Sequence, residues 1–249
     1  MSIIMNQEMI DGMKANVTAL RNNGYPGRGI ILGLTPDGQN YVQIYWIMGR
    51  SENSRNRIFV NENGFIKTKA YDEAKVTDPS LIIYYPGKFT GGSHIITNGD
   101  QTDTIFNTLN SGGTFESALN TRQFEPDAPN FTPRISGIVN RKSTSNQYEY
   151  QLSILKGVKD YPDICIRHYF NYETAIPGVG HCLHTYIGDG NPLPSFTGEP
   201  YILELQNDIN QLASFYWDVL NQENRISLLV KFINITSGAS EIKIINKLG

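Results

Sequence analysis

The chain predicts an α+β fold in which sheet stacks on sheet and helices pack outside. Three observations carry this. From Ile30 to about Phe170 short runs rich in β-branched and aromatic residues recur; Gly-, Pro- and Asn-containing turns separate them; and only a few segments space apolar residues as a helix does. The 249 residues are 39% hydrophobic and 18% charged, which allows a sizeable core, argues against disorder and suits one domain over residues 1–249.

The elements follow in order. Asn6 to Asn22 carries Met9, Ile10, Met13, Val17 and Leu20 at helical spacing, and Asn22-Asn23-Gly24 ends that helix. Strands are expected at Ile30–Leu32, Tyr41–Met48, Arg57–Val60, Leu81–Tyr85 and His94–Thr97. Pro36-Asp37-Gly38 between the first two reads as a hairpin. Thr102–Leu109 and Thr114–Thr121 read as short helices whose first Thr can cap them. Strands resume at Ile135–Val139, Tyr148–Leu155, Ile164–Phe170 and His181–Ile187. Glu204–Leu220 has Leu205, Ile209, Leu212, Phe215, Tyr216 and Leu220 on one helical face, and Ser227–Ile235 and Glu241–Ile245 close the chain as strands.

A formal net charge of −3 and a pI near 5.8 argue against a polyanion such as nucleic acid as partner. Cys165 and Cys182 cannot build a disulfide framework, so a reducing, cytoplasmic setting is expected. Met1 to Tyr25 holds no long apolar run and carries Glu8, Asp11 and Lys14, which reads as neither a signal peptide nor a membrane span.

Against this acidic background, Arg50-Ser51-Glu52-Asn53-Ser54-Arg55-Asn56-Arg57 stands out. Three forked guanidinium groups at the end of an apolar strand suit a small anion, and Ser and Asn add hydrogen-bonding groups without bulk. The plainer reading is a solvated polar loop. Asn98 to Asp103 lies at a strand-to-helix junction, where backbone amides attract anions; Asp103 there can equally serve the helix dipole. Glu125 to Arg134 holds three prolines, two carboxylates and an arginine: a rigid binding wall or a connector. In His181-Cys182-Leu183-His184, strand alternation puts Cys182 and His184 on the face opposite His181, so buried strand residues are expected there rather than a metal site.

Four pieces, in their order, resemble the archaeal-type IMP cyclohydrolase family: Gly27-Arg28-Gly29-Ile30-Ile31-Leu32-Gly33, Tyr45 to Arg57, Thr97 to Asp103, and Phe131 to Gly137. Gly188 to Pro200 looks like that family's late loop. The likeness runs from about Tyr25 to the C-terminus, with residues 1–24 as an added helix, and Gln101 stands where related sequences often have His. The resemblance implies a four-layer αββα sandwich like that of the N-terminal nucleophile hydrolases, without a released N-terminal nucleophile. It implies closure of 5-formamidoimidazole-4-carboxamide ribotide to IMP with loss of water, with no metal or cofactor. Arg57, Tyr84, Asp103 and Glu125 are carried over as catalytic residues, with Tyr85 the near-equal alternative to Tyr84. Arg50, Ser51, Asn53, Arg55, Asn56, Asn98, Thr102 and Arg134 are carried over as substrate-binding. The expected partner is a purine ribotide, with no nucleic acid and no membrane, and a homo-oligomer stays open. A diverged amide or C–N bond enzyme on a phosphorylated nucleotide, and a non-catalytic purine nucleotide-binding protein, remain the alternatives.

Overall fold

The computed structural model describes residues 6–76, 83–141, 147–159 and 161–249. In chain order the elements are α1 (Gln7–Asn22), β1 (Gly29–Leu34), β2 (Asn40–Met48), α2 (Glu52–Arg55), β3 (Arg57–Glu62), β4 (Phe65–Ala70), β5 (Gly87–Thr90), β6 (Ser93–Thr97), α3 (Gln101–Asn110), α4 (Phe115–Leu119), β7 (Arg134–Asn140), β8 (Tyr150–Val158), β9 (Tyr161–Tyr172), β10 (Val179–His184), β11 (Tyr201–Glu204), α5 (Ile209–Val219), β12 (Arg225–Asn234) and β13 (Ser240–Asn246).

Among the described residues the strands form two antiparallel sheets. One runs β11-β10-β1-β2-β12-β13 and the other β3-β4-β5-β6-β7-β8-β9. Strand alternation sorts the side chains into layers. Along β2, Tyr41, Tyr45 and Ile47 face the second sheet, whereas Val42, Ile44, Trp46 and Met48 face α1 and α5. Ile95 and Ile138 on the far side of the second sheet pack against Ile105, Phe115 and Leu119 of α3 and α4. The result is the four-layer αββα sandwich that the resemblance implied.

Local chemistry explains most boundaries. Asn6 caps α1 by accepting from Met9 N at 2.8 Å. The Pro36-Asp37-Gly38 turn joins β1 to β2 with Leu34 opposite Tyr41, and Gly38 takes the φ of +70° that its turn requires. Thr114 caps α4 through a reciprocal capping box with Ser117. Thr102 does not cap α3; Asp100 occupies that position, and the Thr102 hydroxyl meets that of Thr97 at 2.7 Å. The last helix starts at Ile209 rather than Glu204, because Asp208 accepts from Asn210 N and Gln211 N at 2.8 and 2.9 Å.

Three strands, β4, β5 and β11, were not legible in the sequence. Of the expected strand Leu81–Tyr85, residues 81–82 lie outside the described residues, and Ile83 to Tyr85 are not in a strand. Tyr84 is instead pinned to β4: its amide donates to Thr68 Oγ1 at 2.8 Å and its carbonyl accepts from Thr68 N at 2.9 Å.

Gly29 pairs directly with the fully buried Trp46. A Cβ there would lie 1.9 Å from the indole. Gly29→Ala should therefore destabilise the protein by about 1–3 kcal/mol through overpacking, read by chemical denaturation. An unchanged midpoint would contradict this packing.

Candidate active site

At one end of the sandwich, the start of β1, the end of β2, the start of β3 and the loop after Glu125 converge. Gly27 makes this possible. Its φ is +74°, and a Cβ would stand 2.1 Å from Thr185 Oγ1. Its neighbour Arg28 is held by Thr185, whose hydroxyl accepts from Arg28 N at 3.1 Å and whose amide donates to Arg28 O at 2.9 Å.

Arg57 opens β3 and has no exposed surface. Its Nε donates to Ser54 O at 2.9 Å. Its Nη1 and Nη2 are buried without a hydrogen-bond partner, as is Arg28 Nε. Burial lowers the Arg57 pKa from its ordinary value, and the nearby Arg28 charge lowers it further; the group stays cationic. Burial also disfavours the charge on Arg28, but Glu125, Tyr186, Tyr84 and Tyr25 together raise its pKa above the usual arginine range. Two adjacent cations with buried, unused donors form a receptor for electron-rich oxygen.

Three further groups complete the interior cluster. The Tyr45 and Tyr84 hydroxyls share a 2.8 Å hydrogen bond. Burial raises the Tyr84 pKa against the opposing pull of Arg57 and Arg28, so the phenol stays protonated and can donate. Glu125 is 3% exposed. Burial raises its carboxyl pKa above the usual range, although Arg28, Arg134 and Arg57 oppose the shift.

Of the cluster residues, Arg28 lines a cavity of about 280 Å³, together with Tyr25, Arg50, Ser51, Ser54, Asp127, Thr132 and Tyr186, among others. The Tyr186 and Thr132 hydroxyls lie 2.6 Å apart. The Thr132 hydroxyl donates to Asp127, whose other oxygen accepts from Thr132 N at 2.6 Å. The Tyr186 hydroxyl must then donate to Thr132, and its lone pairs stay available. Arg50 sits at the rim, 4.7 Å over the Tyr25 ring and ion-paired with Asp189.

The three arginines of the Arg50–Arg57 run therefore part ways, because residues 52–55 form the short helix α2 and not a loop. Arg57 enters the interior and Arg50 guards the rim. Arg55 turns outward, donating to Gly49 O at 3.1 Å and Asn224 Oδ1 at 3.2 Å. Asn56 is spent on the chain itself, clamping Asp72 through its carbonyl and amide at 2.7 and 2.8 Å. Ser51 caps α2 and lines the cavity. Asn53 lies in α2 with a buried, unpartnered Oδ1.

The other expected residues divide similarly. Asn98 ties the end of β6 to β7, donating to Pro133 O at 2.9 Å and accepting from Ile135 N at 2.8 Å. Thr102 bonds Thr97 and Gly99 within the same junction. Arg134 is buried beside this junction, reaching Gln101 Oε1 and Asp100, each at 2.7 Å. A Cβ on Gly99 would stand 2.6 Å from Arg134 Nη1 and 3.6 Å from Glu125 Oε1, which brings Arg134 next to Glu125. Asp103 does not join the cluster. Its carboxylate is exposed and pairs with Lys88 at 2.6 Å, because the first turn of α3 points it away. Of the two tyrosines, Tyr84 is buried in the cluster, whereas Tyr85 donates to Glu62 at 2.9 Å on the outer surface.

Arg28, Tyr45, Thr132 and Tyr186 escaped sequence reading as site residues, and Asp127 entered only as the second carboxylate of the Glu125–Arg134 wall. A charged residue between two glycines at a strand start was the available signal for Arg28. Tyr45 and Tyr186 carried none, since both sit in apolar runs. His181, Cys182 and His184 separate as alternation demands: His181 Nδ1 meets Tyr150 at 2.6 Å, Cys182 is buried among the residues under α1 and α5, and His184 Nδ1 donates to Tyr186 O at 2.8 Å. Among the described residues no three His, Cys, Asp or Glu side chains are grouped as a metal requires.

Arg57→Met removes a buried, incompletely bonded charge that another cation repels. It should raise unfolding stability by about 1–3 kcal/mol, measured by denaturant titration. A loss of several kcal/mol would show that the protein itself satisfies this guanidinium.

No curated protein matches the chain. The family model described as IMP cyclohydrolase-like protein matches residues 25–238, from the tyrosine under Arg50 to the β12–β13 turn. The match spans all the strands that frame the cluster, and the chain belongs to the IMP cyclohydrolase-like family.

Proposed function

We propose that this protein is an IMP cyclohydrolase of purine synthesis. It closes 5-formamidoimidazole-4-carboxamide ribotide to IMP with loss of water. Family membership supports the reading. The observation that carries it is the pair of orphaned Arg57 nitrogens beside Arg28, Tyr84 and Glu125. A protein keeps such a charged, unsatisfied group buried where a ligand completes it.

The chemistry fits that cluster. The carboxamide nitrogen attacks the formyl carbon of the same molecule. The new C–N bond pushes the carbonyl electrons onto oxygen, and in this reading Arg28, Arg57 and the Tyr84 hydroxyl donate to that oxyanion. Glu125 takes the amide proton in this step. Glu125 returns that proton to the oxyanion to give a hydroxyl. Protonation of the hydroxyl, with loss of the proton on the former formamido nitrogen to the Glu125 carboxylate, releases water and forms the C=N bond that leaves the ring aromatic. A carboxyl with a raised pKa suits both halves of this exchange near neutrality. Because the reaction is intramolecular, a rigid pocket that holds the closing rotamer supplies much of the rate. The 5′-phosphate lies toward the rim at Arg50 and Ser51, with Ser54 and Arg134 shaping the walls. In this reading Asp103, Asn98, Thr102, Arg55 and Asn56 act indirectly, by fixing the loops that carry the cluster.

The test is IMP formation from the formamido ribotide, followed by absorbance. Glu125→Gln should lower kcat by roughly 10²–10⁴-fold. Wild-type kcat/KM should rise with pH through an acid limb lying above the usual carboxylate range, since the base must be ionised, and Glu125→Gln should lose that limb. Tyr84→Phe should lower kcat more than it raises KM. Tight IMP binding without turnover in the wild type would instead support the nucleotide-binding alternative.

A further inference from the structure

The opposite end of the sandwich holds a second charged cavity. In β12, Leu229 and Ile233 face the inter-sheet core, while Leu228, Val230 and Phe232 face α5. Alternation therefore turns Lys231 inward. It lies opposite Gln43 of β2 and Ile242 of β13, and is 4% exposed. His94 faces it from β6. That residue is also buried, its Nδ1 has no partner, and its ring stacks on Phe89 with centroids 5.7 Å apart. The Lys231 ammonium stands 5.2 Å over the same Phe89 ring. Arg141, just past β7, lies along the β12–β13 turn and donates to Thr236 O at 3.0 Å.

These residues line a cavity of about 630 Å³ together with Asn61, Thr90 and the turn glycines. Among the described residues no carboxylate lines it. Burial alone lowers the Lys231 pKa to about 8. Burial, then the Lys231 and Arg141 charges, lower that of His94 to about 3. A buried lysine on the inner face of a sheet is costly without a counter-charge, and the described lining residues supply none.

We propose that this cavity is a second anion site, distinct from the Arg57 cluster, that seats a phosphomonoester dianion. Lys231 and Arg141 supply two positive charges matched to a dianion, and His94 offers Nδ1 as a neutral hydrogen-bonding group. The volume exceeds that of phosphate alone, so the organic group rests against Phe89 and Ile242.

Calorimetry with phenyl phosphate tests this, using full-length protein carrying Arg50→Met and Arg57→Met so that neither the rim nor the interior of the first site competes. Saturable binding is expected, weakened at least about tenfold by Lys231→Met and retained by Lys231→Arg. Arg141→Gln, a change nearer the surface, should weaken it as well. Benzoate, with the same ring and one charge, should bind more weakly. Equal affinity in the Lys231→Met protein, or no saturable binding to the Arg50→Met/Arg57→Met parent, would overturn the proposal.

Discussion

Arg57 carries its charge into the interior with only one of its three nitrogens bonded to the protein. Much of the surrounding architecture can be understood from that. A lone buried guanidinium costs several kcal/mol unless partners answer it, and the Arg28 charge makes matters worse. Glu125 is the compensating carboxylate, yet its own burial holds its pKa high. These opposing pulls on one buried carboxyl suit proton transfer better than they suit stability.

The sandwich holds this arrangement in place from several directions. β1 brings Arg28 only because Gly27 and Gly29 let the chain pass close to Thr185 and Trp46. The β3 start is set by α2, a single turn capped by Ser51, whose Ser54 carbonyl receives the Arg57 Nε. Tyr84 is delivered by its backbone clamp on Thr68. Asn98 and Gln101 brace Arg134 against β7. Each functional side chain thus hangs from a strand end or a doubly bonded loop, which limits its rotamers before any ligand arrives.

The layer order was readable because periodicity alone separates inward from outward residues in strands such as β2 and β12. The helices other than α2 were readable for the same reason, and the start of α5 shifted where a side-chain cap not singled out in the sequence, Asp208, intervened. β4, β5 and β11 were hidden because their residues are mixed and half-exposed, as the KTK of Phe65–Ala70 shows. At the site, Arg57, Glu125 and Tyr84 could be singled out through family resemblance. Asp103 could not be separated from them, since direction around a helix's first turn decides whether a carboxylate meets Lys88 or the pocket. Arg28 and Tyr186 depend on contacts between residues more than 100 positions apart, which spacing along the chain does not encode.

The most direct measurement is a crystal structure of the protein with IMP bound. A ligand oxygen or ring nitrogen within about 3.2 Å of an Arg57 Nη atom, with the phosphate toward Arg50, is the predicted result. IMP seated elsewhere, or seated here with both Nη atoms still unpartnered, would contradict the account.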